Sequence, residues 1–271
     1  MPVKLPAVEC STTELAFLAS LLGADSVIGV PDPFAGRGPD EIATAWDVAR
    51  ASLIERRLLS VQADSSICIE QTVAELVGTC GFAEATFLLT YTAGDGGVSG
   101  HHFHVIRRSA VELVLCHEEA ITCRLSGLET GAVVGRVADI FRLGDQGAPA
   151  VPSGRLAERH LNRARQVAEE TGAWAAELYL VSAGLCRETA AGLAVALARP
   201  LGTGALVAFA GARQEVGVDG LGLLEGVNGL WLLRNFTREN TRWVDLIPCS
   251  GQAMLAFIRT IMNRALPGNL L

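Results

Sequence analysis

The sequence predicts an α+β protein of two pseudo-twofold-related halves, each an antiparallel meander sheet flanked by helices. Three observations carry this. Residues 229–265 read as strand, polar turn, strand, a Pro-Cys-Ser-Gly corner and an amphipathic helix. Residues 111–143 repeat that order as VELVLC, a turn at His117-Glu118-Glu119, AITCRL, a corner at Ser126-Gly127 and a helix over 130–142. A shift of 118 residues places Cys68 on Cys186, Leu88-Leu89 on Leu206-Val207 and Leu113-Val114-Leu115 on Trp231-Leu232-Leu233.

In chain order, Ser11 and Glu14 form a capping box, and Leu15, Leu18, Leu21 and Leu22 follow at helical spacing until Gly23. The stretch PDPFAGRGP over 31–39 is a surface connection. Asp40-Glu41 starts a second helix that ends near Arg56-Arg57-Leu58-Leu59. The first repeat is a helix over 67–79, strands over 85–91, 102–108, 111–116 and 120–125, and the helix over 130–142. These make an N-terminal unit, 1–143, followed by a linker, 144–154, of Pro/Gly composition. The second unit, 155–271, opens with a helical stretch reaching residue 172. It then has a helix over 186–198, strands over 205–210, 221–224, 230–234 and 242–247, and a helix over 251–264. The halves are expected to join as one compact unit, because four short strands alone are marginal.

With half of 271 residues apolar and 19% charged, the chain is long enough to bury a large core. A net charge of -7, with basic residues clustered only as Arg56-Arg57 and Arg107-Arg108, argues against a nucleic-acid partner. The helix pair before Leu-Leu-Ser-Val has the order of a winged-helix regulator, but Glu41, Asp47 and Glu55 on its second helix oppose DNA. Seven scattered cysteines without a CxxC, and an N-terminus without an apolar secretory core, predict reduced thiols and a cytoplasmic location. Cys116 and Cys123 face each other across the expected hairpin. Residues 192–211 are apolar, but Arg199-Pro200 interrupts them, so they read as a buried helix turning into a buried strand and no membrane span is expected.

No GxSxG elbow and no phosphate loop occurs, so no catalytic residue and no cofactor is assigned. His102 and His104 alternate on a strand and point to one face, the opening of a cupin-type metal site, which makes a metal-dependent enzyme the alternative reading. The carboxylate that should follow is missing, and Arg107-Arg108 opposes a cation. Trp174, Trp231 and Trp243 read as core or sheet-face aromatics. The glycine-rich turn GDGGVSG over 94–100 leaves Asp95 and Val98 exposed, the candidate protein-binding residues.

The helix-and-meander order, with RRLL at 56–59 and W-V-x-L-x-P at 243–248 ahead of the last helix, resembles the EspG family. Its members are chaperones of the mycobacterial type VII (ESX) secretion system. The resemblance implies a pseudo-twofold α+β fold and protein binding without catalysis. It also implies a PE-PPE-like or WxG-like export substrate whose apolar region is shielded. Arg57 stands where the family usually has glycine, and Asn235 to Asn240 lack its Gly-Arg pair.

Overall fold

Ser11 opens the first helix with a reciprocal cap. Its hydroxyl accepts from the Glu14 amide at 3.1 Å, and Glu14 Oε2 accepts from the Ser11 amide at 2.7 Å. The computed structural model describes residues 7–117, 121–210 and 219–266. Glu118 and Glu119 of the expected turn lie outside them.

Strand β1 (Ala7–Ser11) leads into α1 (Thr12–Leu21), α2 (Pro39–Glu55) and a small hairpin, β2 (Leu59–Val61) and β3 (Ile67–Ile69). Helix α3 (Gln71–Gly81) precedes the first meander, β4 (Ala85–Ala93), β5 (Val98–Ile106), β6 (Ser109–His117) and β7 (Ile121–Glu129). A single turn of 3-10 helix, Thr130–Ala132, then runs into α4 (Val133–Ile140). The second half runs β8 (Gly154–Ala157), α5 (Glu158–Thr171), α6 (Ala173–Ser182) and α7 (Arg187–Ala198). The second meander is β9 (Gly202–Ala210), β10 (Asp219–Gly226), β11 (Gly229–Arg238) and β12 (Thr241–Cys249), and α8 (Gly251–Ala265) follows, capped by Ser250.

Ten strands form one antiparallel sheet in the order β1-β7-β6-β5-β4-β9-β10-β11-β12-β8. The order reads alike from either edge, with β4 and β9 paired at the centre from Ala85↔Ala210 to Ala93↔Gly202. One face carries a continuous core in which Phe87, Leu89, Phe103, Leu206, Leu223 and Leu232 pack against α4 and α8. The opposite face carries two separate cores. Leu113 and Leu125 pack there under α1, α2 and α3, and Trp231 and Leu246 under α5, α6 and α7.

Several sequence expectations need correction. The single shift of 118 keeps Leu113 and Trp231 on one face but does not hold throughout, because side chains alternate along a strand and a one-residue slip exchanges faces. It carries Leu88, beneath Gly29 on the face of α1–α3, onto Leu206 in the core beneath α4 and α8. It also carries Cys68, in β3, onto Cys186, which caps α7. Core positions Val73, Leu76, Val77 and Cys80 of α3 match Ala190, Leu193, Ala194 and Leu197 of α7 at a spacing one residue shorter. Phe103 and Ala110 match Leu223 and Leu230 at a spacing two residues longer.

The helix expected from residue 67 begins only at Gln71, where Glu70 accepts from the Val73 amide at 2.9 Å, and the preceding residues pair as a strand. Edge strands β1 and β8 were not foreseen. Cys116 and Cys123 do not face each other. Cys116 lies opposite Thr122, and Cys123 lies opposite Leu115 on one side and Cys10 on the other. All seven cysteines are free thiols. Residues 192–211 divide at the end of α7 into helix and strand, and among the described residues no helix is long and apolar enough to cross a membrane.

A candidate protein-binding face

Strand β4 is central and buried along one face, while its other face is covered at Thr86 and Leu88 but open further along. Ala85, Phe87, Leu89, Tyr91 and Ala93 point into the core beneath α4 and α8. On the other face Thr90 is exposed and Thr92 half-buried, opposite Ala205 and Thr203 of β9. Threonine suits this place because its branched side chain stiffens an extended backbone while its hydroxyl meets water. The α1–α3 layer and the α5–α7 layer thus leave the middle of the sheet open between them. The result is a cleft of about 340 Å³. Thr90, Thr92, Thr203 and Ala205 line its floor, and Leu161 and Arg165 of α5 line one wall.

The β4–β5 turn stands at one end of this cleft. Val98 lies opposite Thr92, so both side chains share the cleft face, and Val98 is 75% exposed. Asp95 Oδ1 accepts from the Gly97 amide at 3.0 Å, and Gly96 takes a φ of 87°, so the Asp95 carboxylate shapes the turn. The Gly94 amide donates to the Leu201 carbonyl at 2.8 Å, which sets exposed Leu201 beside the turn. The alternating threonines of Thr90-Tyr91-Thr92, after the apolar run Phe87-Leu88-Leu89, were the sequence signal for the open floor.

Helix α6 adds an exposed apolar stripe of Trp174, Leu178 and Val181, spaced for one helical face. Trp174 is therefore neither core nor sheet-face, as the sequence suggested. It is 74% exposed, whereas Trp231 is fully buried.

His102 and His104 do share a face of β5, but they are packing residues. His104 is fully buried with Nδ1 3.3 Å from Thr86 Oγ1, and His102 lies under Gly29. Burial, then the neighbouring imidazole, pushes His102 down to about 4 and His104 down to about 3, so both are neutral near pH 7. Among the described residues no three His, Cys, Asp or Glu side chains are grouped to hold a metal ion. The metal-dependent alternative is thus left with two neutral imidazoles and no third ligand among those residues.

His101 points to the other face, where its Nδ1 lies 2.7 Å from Glu112 Oε1. Arg136 Nε reaches both oxygens of the same carboxylate at 3.1 and 3.0 Å. Burial raises Glu112, but the hydrogen bonds from His101 and Arg136 outweigh it and hold the carboxyl below its ordinary value. This network ties β5 and β6 to α4. The winged-helix reading loses its basis too, because α2 turns Asp40, Glu41, Asp47 and Glu55 to solvent.

These features define a class: a helix-flanked antiparallel sheet, open at the centre of one face. The chain has the fold of EspG5, the type VII secretion system chaperone of Mycobacterium tuberculosis, solved in complex with a PE25-PPE41 dimer. That structure is 15% identical, with a TM-score of 0.64, and the match covers 97% of this chain and 98% of that one. At this identity the likeness is one of fold. A structure of HtdX from the same organism aligns with a TM-score of only 0.15 and carries no argument. The sequence matches no family model and no curated protein.

Proposed function

We propose that this chain is a non-catalytic protein-binding module that acts as a cytoplasmic secretion chaperone, shielding an apolar region of an export substrate. The observation that carries the reading is the open centre of the sheet. Thr90 is exposed on a central strand, in a cleft walled by Leu161, Leu197 and Pro200. A sheet interior of this kind is normally covered in the same chain, so an uncovered one offers a partner apolar walls and a polar floor. Val98 at the cleft end is the first contact residue, with Asp95 holding its turn in shape.

The likeness to EspG5, solved with a PE25-PPE41 dimer, supports a substrate of PE-PPE type, with a WxG-like substrate as the alternative. Co-expression with a candidate pair of that type, followed by affinity capture, tests the reading. Thr90→Trp fills the cleft and Val98→Asp charges its end. Both variants are expected to keep the fold and lose the partner. Capture undiminished by both substitutions, or no retained candidate at all, would refute the proposal.

A further inference from the structure

The β11–β12 hairpin runs on beyond the sheet. Strand β11 is registered with β10 only from Gly229 to Leu233, so Arg234–Arg238 pairs with β12 alone among the described residues. Glu239 and Asn240 turn the ribbon with φ of 52° and 58°, the backbone of a tight two-residue hairpin. Its face on the α4/α8 side, together with the adjacent edge strand β8, presents Arg155, Arg234, Phe236, Arg238 and Trp243.

Two of these arginines are held in place from below. Asp245, 7% exposed, accepts from Arg155 Nε and from Arg234 Nη2, each at 2.8 Å. Arg155 also lies over the Phe236 ring, 4.7 Å from its centroid. Each guanidinium gives up one N–H to Asp245 and keeps its other donors, while its side chain stays more than half exposed. Among the described residues Arg238 pairs only with Glu239, at 3.4 Å and with both side chains largely exposed, a pair that contributes little. Between Arg155, Phe236, Arg238, Glu239, Thr241 and Trp243 lies a cleft of about 240 Å³.

We infer that this cleft docks an acidic, extended peptide segment of a partner protein, with an aromatic side chain seated against Phe236 and Trp243. Three arginines face two carboxylates here, on a chain whose net charge is -7, so the patch is locally cationic in an acidic protein. Preordered guanidinium forks match carboxylates, and Arg and Trp are the residues that anchor protein interfaces. A polyanion such as nucleic acid is disfavoured, because the rest of the surface repels it and three arginines release few counterions. The site is on the opposite face of the sheet from the Thr90 cleft, so it stands or falls separately from the proposed chaperone surface.

Binding of a fluorophore-labelled Glu-Glu-Phe-Glu-Glu peptide to the full chain tests this, with Gln-Gln-Phe-Gln-Gln and oligothymidylate as comparisons. The expected result is saturable, salt-weakened binding of the acidic peptide alone. Arg238→Gln and Arg234→Gln each lower its affinity about tenfold, the loss of one hydrogen bond to a charged group. Arg238 is exposed, so its variant keeps the melting temperature, while Thr90→Trp leaves peptide binding unchanged. The inference is overturned by absence of saturation, by equal binding of the glutamine peptide, or by oligothymidylate binding as tightly. Self-association of the chain that Arg238→Gln abolishes would assign the patch to a second copy and overturn it as well.

Discussion

At the scale of single residues, two buried histidines set how stability depends on pH. His102 and His104 have ordinary values near 6.5 and folded values of about 4 and 3. Below pH 6.5 the unfolded chain therefore binds protons that the folded chain refuses. Stability is fully present above that point and falls with pH by about 1.4 kcal/mol per unit for each histidine. Glu112 acts in a lower window. Its folded value lies below 4.5, so what it contributes is present above 4.5 and lost only beneath it. Urea denaturation between neutral pH and about pH 5 reads the histidine slope, and His104→Gln should flatten it. An unchanged slope would mean that His104 is protonated in the fold. Gly29 is the other exacting position. It has a φ of +84°, and a Cβ there would meet Leu88 Cδ2 at 2.7 Å and His102 Nδ1 at 2.8 Å. Gly29→Ala is expected to cost about 1–3 kcal/mol in thermal or chemical denaturation.

At the scale of elements, two tryptophans that look alike in the sequence separate. Trp231→Ala should cost about 3–5 kcal/mol, because a fully buried indole leaves a cavity in the core beneath α5, α6 and α7. Trp174→Ala should change stability by no more than about 0.5 kcal/mol, since that side chain already meets water. Equal losses in denaturation would contradict the placement of α6. The sequence AWAAELYLVS is apolar nearly all round, so its period does not say which side faces the sheet. Helices with strong periods or caps, α1 and α8 among them, were legible. Edge strands β1 and β8, five and four residues long, were not, because pairing with β7 and β12 holds them extended.

For the whole molecule, the decisive contact is the β4–β9 pair, which joins the two halves into one sheet and one core beneath α4 and α8. Separating the halves at the connection over 144–153 would strip both strands of a partner and open that core. Residues 7–143 and 155–266, expressed apart, are expected to aggregate or recombine on size exclusion, and a stable monomeric half would refute this. Of the candidate site, Val98 and the turn shaped by Asp95 were legible from the glycines of GDGGVSG. The cleft beside them was not. Its floor comes from β4 and β9, and its wall from α5, whose residues lie far apart in the chain.

By itself the sequence determined the alternation of helices and meander strands, the cap at Ser11, and that His102 and His104 share a side of one strand. Those are local properties, written in periods of two and 3.6 residues and in capping chemistry. Only the tertiary structure decided that β4 meets β9, that His102 lies under the Gly29 loop and His104 is fully buried, and that one side of the sheet stays open near its centre. Long-range pairing depends on how whole layers pack, and a side-chain period shows which residues face together without showing what covers them.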